Sequence, residues 1–135
     1  MSTFNVEKTI ATSLGTLWDR LTDVGSHADI LPSVDNTAID KPGEFAPGFA
    51  WTETRTVDGD QFTKTWAVSS IDPYVSFLAD GPDDSRIRYS FKPLGDDETA
   101  VLVGYDSGSL KDGERIEKLI QDDLDALASK LTDKD

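Results

Sequence analysis

Three ionisable side chains lie among aromatic residues in two segments that read as strands, and they are the residues best placed to do chemistry. Glu53 and Arg55 alternate with threonines in residues 49–57, and Lys64 does the same in residues 62–71. Residues two apart on a strand share a face, so all three should point to the same side as Trp51 and Trp66. Such polar groups can orient a largely apolar ligand by hydrogen bonds in a dry pocket. They can equally form an ion-paired cluster at the edge of a sheet that touches no ligand.

The opposite faces of these two segments carry threonines, a composition typical of a solvent-facing sheet surface. The aromatic faces are therefore predicted to point inward, although a bulge in a strand would exchange its two faces. The later strands are predicted to add the inward side chains Val75, Phe77, Ile87, Tyr89, Phe91, Val101, Val103 and Tyr105. From these faces we predict the ligand-binding residues Trp51, Glu53, Arg55, Trp66, Tyr89, Phe91 and Tyr105. Each aromatic member of this set can also serve only as core.

Other chemistry has little support. His27 is the only histidine, and no oriented neighbour marks it as part of a catalytic triad, so it is predicted to lie on the surface or in helix packing. The chain has no cysteine, no Gly-rich phosphate loop, no zinc-binding motif and no nucleophile elbow. Acidic pairs such as Asp96-Asp97 fall at turn signals and are interpreted as solvated turns. The sequence therefore predicts no cofactor and no metal, and it assigns no catalytic residue.

One long amphipathic segment must cover these strand faces. Residues 109–131 carry apolar side chains at the spacing of a helical stripe, and Ser109 with Asp112 resembles a capping box at its start. The stripe is Ile116, Leu119, Ile120, Leu124, Leu127 and Leu131. The opposite, solvent-facing side is Lys118, Gln121, Asp122, Asp125 and Ser129. A helix of this kind needs an apolar surface to pack on, and the preceding residues predict a sheet.

The rest of the chain alternates strands with short turns. Two short helices are predicted, one over residues 14–21 after an N-cap at Thr12 or Ser13 and one over residues 26–31. The predicted strands are residues 4–10, 37–40, 49–57, 62–71, 74–79, 87–94 and 99–105. Six of these strands follow one another on short turns, which predicts an antiparallel meander. The layout is α+β, with the last helix laid on one face of a curved seven-stranded sheet.

Several segments carry a resemblance to a known family. They are Thr9-Ile10-Ala11-Thr12, Leu17-Trp18-Asp19, Leu21-Thr22-Asp23-Val24, Ile30-Leu31-Pro32, the run Gly48 to Val57, the Asp72-Pro73 turn and the final helix. Together they resemble the START-like (SRPBCC) superfamily, and within it the polyketide cyclase/dehydrase and lipid-transport branch. The resemblance spans nearly the whole chain and implies the helix-grip fold, in which a strongly bent sheet grips the C-terminal helix around a cavity. A helix about 10 Å across cannot fill such a sheet alone, so large side chains or a ligand must fill the remainder.

Three functions follow from this resemblance and these residues. The first is binding of a hydrophobic or amphipathic small molecule, lipid- or polyketide-like, between the sheet and the helix. The second is an aromatase/cyclase or dehydratase-type enzyme, in which Glu53, Arg55 or Tyr89 would supply acid/base or oxyanion chemistry. The third is a protein with a filled cavity whose surface binds a protein partner. Open volume beside Arg55 would favour the first two functions over the third.

Composition and charge limit the classes of partner that the protein can bind. The 135 residues predict one domain with a full core, and 26 acidic against 13 basic residues give a net charge of −13. That charge repels phosphate backbones and anionic membranes, so no nucleic-acid partner is expected. No apolar run approaches the roughly 18 residues that span a bilayer, and the first residues lack signal-peptide features. We expect a cytoplasmic protein without membrane insertion, and the sequence leaves its oligomeric state open.

Overall fold

The computed structural model describes residues 2–31, 34–41, 44–57, 59–81, 85–107 and 113–132. Within these residues the chain forms seven strands and three α-helices. The strands are β1 Ser2–Ile10, β2 Val34–Lys41, β3 Ala50–Val57, β4 Asp60–Asp72, β5 Ser76–Asp80, β6 Arg86–Gly95 and β7 Glu98–Ser107. The helices are α1 Leu14–Thr22, α2 His27–Ile30 and α3 Gly113–Thr132, with a 3₁₀ helix at Val24–Ser26.

All seven strands form one antiparallel sheet in the order β1-β7-β6-β5-β4-β3-β2. The predicted meander is therefore confirmed from β2 to β7, and β1 joins it beside β7. The β3–β4 hairpin closes where Val57 pairs with Asp60, and Gly59 there has a φ of +88°. Glycine adopts this left-handed conformation without the steric cost that other residues meet.

Ion pairs show that the sheet curls around α3. Lys8 on β1 binds Asp125 of the helix at 2.9 Å, and Arg55 on β3 binds Asp123 of the same helix at 3.0 Å. Strand β1 is one edge of the sheet and β3 is next to the other edge. One helix can reach both only if the sheet bends strongly toward it, so the predicted α+β helix-grip fold is confirmed.

Alternation along β3 and β4 sorts their side chains as predicted. Register pairs Trp51 with Trp66 on the inner face, where both indoles are buried. The outer face carries threonines whose hydroxyls bond across the two strands, at 2.8 Å between Thr52 and Thr65. The inner face is therefore the apolar one, and it faces α3.

The predicted stripe of α3 is buried and its polar side is exposed. Five members of the stripe lie in the core: Leu119, Ile120, Leu124, Leu127 and Leu131. The predicted cap at Ser109 and Asp112 and the side chain of Ile116 lie outside the described part of the chain. None of the described helices is both long and apolar enough to cross a membrane.

One strand prediction needs correction, and a second strand is irregular beyond its predicted face. Strand β5 begins at Ser76 because Tyr74, with a φ of +65°, turns the chain first. Val75 was predicted to point inward, but it lies in this turn and is 50% exposed. Strand β4 has an irregular register between Val68 and Ser70, so its alternation shifts by one residue there and Ile71 also packs against the core.

Candidate ligand-binding site

A buried cluster of one guanidinium and two carboxylates lies between the sheet and α3. Arg55 Nε donates to Glu53 Oε2 at 2.6 Å, and its second described contact is the 3.0 Å bond from Nη1 to Asp123 Oδ2. The exposed side-chain fractions are 16% for Arg55, 7% for Glu53 and 4% for Asp123. Ion pairing among these residues is therefore present, but the cluster lies inside the fold and not at its surface.

Burial and charge act against each other in this cluster. Burial alone would raise the pKa of Glu53, but the charge and hydrogen bond of Arg55 outweigh it and hold the pKa below its ordinary value. Burial likewise disfavours the charged guanidinium, yet the two carboxylates raise the pKa of Arg55. Both partners are thus ionised at neutral pH.

Tyr89 faces this cluster from strand β6. Burial raises the pKa of its hydroxyl, and the opposing effect of the positive charge on Arg55 is smaller. Its ring stacks on Phe77, with centroids 4.9 Å apart and an interplanar angle of 19°. Tyr89 is therefore a neutral phenol, held by stacking, whose hydroxyl can donate a hydrogen bond.

His27 borders the same region, next to Trp51, although no pattern in the sequence assigned it a role there. It is buried, so a surface position is excluded and the alternative of helix packing holds. Its Nε2 lies 2.9 Å from the carbonyl oxygen of Leu21, which can only accept, so Nε2 carries a proton. Burial lowers the pKa of His27, so the ring is neutral at pH 7 with Nδ1 unprotonated.

Trp51 is surrounded by rings and has an unmet hydrogen-bond donor. The indole lies 6.5 Å from the ring of His27, 6.4 Å from Phe45 and 6.0 Å from Phe49, measured between centroids. Its Nε1–H is buried and makes no hydrogen bond within the described part of the chain. The indole lies near enough to Glu53 to contribute slightly to the lowered pKa of that carboxylate, but no contact between them has hydrogen-bond geometry.

Lys64, Trp66 and Tyr105 form a second group on the inner face. Lys64 is directly opposite Glu53 in the strand register, but its ammonium donates to the Tyr105 hydroxyl at 3.1 Å. Trp66 meets the Tyr105 ring edge-on at 6.0 Å. Gly81 leaves room for the Trp66 indole, because a Cβ at position 81 would lie 2.8 Å from it.

Phe91 lies apart from these polar groups. Its ring packs against Trp18 of α1, with centroids 5.4 Å apart, and Trp18 also contacts Phe77 and Tyr74. The structure therefore places six of the seven predicted residues around two polar groups, and it places Phe91 in the packing under α1.

The sequence interpretation missed Asp123, His27 and Phe45. Asp123 follows Ile120 by three residues and precedes Leu127 by four, so helical spacing places this acid on the buried face. That spacing was the signal that could have identified it. Phe45 lies outside any helix or strand, and no periodicity points to it. Among the described residues, no group of three or more histidines and acids is arranged to hold a metal ion.

The chain has the helix-grip fold, and solved START superfamily and aromatase/cyclase structures share it. A START superfamily protein from Mycobacterium smegmatis matches with a TM-score of 0.77 and 18% identity, over 96% of this chain and 97% of that one. The Zhui aromatase/cyclase from Streptomyces sp. R1128 matches with a TM-score of 0.73 and 16% identity, over 97% and 93%. Major latex-like protein 151 from Panax ginseng matches with a TM-score of 0.79 and 10% identity, over 96% of this chain and 97% of that one. No protein-family model and no curated protein sequence matches the chain. At these low identities the likeness is one of fold.

Proposed function

We propose that this protein binds a hydrophobic or amphipathic small molecule, lipid- or polyketide-like, between the sheet and α3. The observation that carries the proposal is the position of the Glu53–Arg55–Asp123 cluster among aromatic side chains inside the fold. Taking charges out of water costs several kcal/mol per ion, and replacing such a cluster by apolar residues of similar volume would often leave the core equally stable. Stability alone therefore does not explain why the cluster is buried. Small-molecule sites usually have apolar and aromatic walls with a small number of polar groups placed among them.

The structural neighbours support the same proposal. These neighbours include a START superfamily protein and an aromatase/cyclase, and both share this fold over nearly their whole length. In this proposal Trp51, Trp66 and Tyr105 supply apolar wall, while Arg55, Glu53 and Tyr89 orient the ligand.

Two experiments test the binding proposal. Native mass spectrometry of gently purified protein should show a co-purifying molecule, and an environment-sensitive apolar dye should bind and accept energy from tryptophan. Trp66→Ala should weaken dye binding at least tenfold. Trp18→Ala is the matched control, because Trp18 is similarly buried but lies under α1. If dye and co-purifying molecule are both absent, a protein with a filled interior whose surface binds a partner becomes the better explanation.

An enzyme of the aromatase/cyclase or dehydratase kind is the second candidate, and Tyr89 is the observation that favours it. Its raised pKa keeps the phenol protonated beside Arg55, so it could donate to a developing oxyanion. Glu53, with its lowered pKa, would serve as a base and not as an acid. Incubation with a short poly-β-ketone mimic tests this reading. Loss of product formation in Tyr89→Phe, with dye binding retained, would support it.

A further inference from the structure

The indole N–H of Trp51 is the feature of the proposed site that its own neighbours leave unsatisfied. Trp51 is 4% exposed, and its Nε1 has no hydrogen-bond partner among the described residues. A buried donor without a partner lowers the stability of the folded protein, and such a group in a native structure usually has a structural or functional role. Among the described residues, the rings of Phe45, Phe49 and His27 lie next to this indole, so its surroundings are largely apolar.

A polar group close to this donor is the carboxylate of Glu53, two residues along the same strand face. One carboxylate oxygen already accepts from Arg55, and a carboxylate can accept several hydrogen bonds. A group lying against both side chains would therefore meet a donor from Trp51 and an acceptor from Glu53.

We propose that the ligand of this site is a neutral compound carrying a hydroxyl group, which accepts from Trp51 Nε1–H and donates to the Glu53 carboxylate. This inference rests on the proposed binding function and names the chemistry of its ligand. A hydroxyl both donates and accepts, whereas a ketone would turn its lone pairs toward the carboxylate and an ammonium would leave the indole unsatisfied.

An anionic head group fits this place poorly. The guanidinium of Arg55 is already bound to two carboxylates, Glu53 and Asp123, so a ligand carboxylate would bring a third negative charge to them. Like charges at short range in a partly dry site repel strongly. Lys64 is the nearby cation that could reverse this preference, but it points toward Tyr105.

A series on one ring system tests the inference at pH 7 by displacement of the bound dye. The probes are fluorene, 9-fluorenone, 9-fluorenol and fluorene-9-carboxylate, which share a tricyclic frame and differ in one group. We expect 9-fluorenol to bind about tenfold more tightly than fluorene or the ketone, the effect of one well-placed hydrogen bond to a charged group. The carboxylate should bind most weakly.

Trp51→Phe keeps an aromatic ring and removes the donor. It should lower the affinity for 9-fluorenol about tenfold while leaving that for fluorene within about twofold. Trp66→Phe is the matched control, because Trp66 pairs directly with Trp51 across the strands and has no unsatisfied N–H in the described structure. In that variant both affinities should fall together. Circular dichroism establishes that each variant is folded.

The possible failures are distinguishable. If the ring compounds bind but the alcohol binds no better than fluorene, the inference is wrong and the proposed function stands. If the carboxylate binds best, the inference is also wrong, and Lys64 becomes the anchor of the ligand. If no compound displaces the dye and the dye itself does not bind, the proposed function fails and the inference fails with it.

Discussion

Asp123 and Asp125 give a direct measure of what burial does to an ion pair in this fold. Both lie on α3, and each pairs with a cation on the sheet at almost the same distance, 3.0 Å to Arg55 and 2.9 Å to Lys8. The Asp123 pair is largely buried, at 4% and 16% exposed, whereas the Asp125 pair is 64% and 38% exposed. Substitution of either aspartate by asparagine removes the same unit of charge from a protein at −13.

Asp123→Asn should lower the free energy of unfolding by about 1.5–3 kcal/mol, the range for a hydrogen bond to a charged group with its partner left buried. The loss stays below that of a fully broken pair because Arg55 keeps Glu53 and asparagine keeps an acceptor. Asp125→Asn should cost at most about 1 kcal/mol, because solvent and salt screen an exposed pair.

Urea unfolding followed by tryptophan fluorescence measures both variants under one condition. A double-mutant cycle adds the test of mechanism: in an Arg55→Leu background, Asp123→Asn should cost much less than in the wild type. The reasoning is refuted if the two single variants lose equal stability, since burial would then make no difference to the pair.

Three further outcomes are expected. His27 is the only histidine; the unfolded chain protonates it below about pH 6.5 while the folded chain, with its lowered pKa, does not. Unfolding then takes up a proton, so stability should fall by up to about 1.4 kcal/mol per pH unit on acidification from that pH, and His27→Gln should flatten this slope. Leu124→Ala should cost about 2–5 kcal/mol in urea unfolding, because Leu124 is 2% exposed, whereas Leu102→Ala at a 38% exposed position should cost far less. Thermal melting should shift upward from low to molar salt as repulsion at −13 is screened, and a flat midpoint would mean that the charges are too dispersed to matter.

Local periodicity accounts for most of what the sequence predicted correctly. A period of two on β3 and β4 separated the threonine face from the face of Trp51 and Trp66, and a period near 3.6 identified the buried stripe of α3. Turn residues marked where strands end, and the hairpin at Gly59 is one result. These signals are local because alternation and helical spacing depend only on neighbouring residues.

Local signals failed where backbone geometry broke the period. The turn at Tyr74 took Val75 out of its predicted strand, and the irregular register after Val68 shifted the alternation beyond the last residue whose face was predicted. Both positions look like ordinary strand residues, because the residue that interrupts a ladder differs from its neighbours in conformation and not in type.

The sequence by itself determined the elements, their order and which face of each is apolar. Only the tertiary structure decided which polar side chains meet: Arg55 lies 68 positions from Asp123, and its ion pair exists because the bent sheet brings β3 against α3. The same folding brought His27 to Trp51 and turned Lys64 toward Tyr105 and away from Glu53. Periodicity assigns a side chain to a face, but the curvature of the sheet and the orientation of the helix decide which faces touch. Curvature and helix orientation depend on all the strands together.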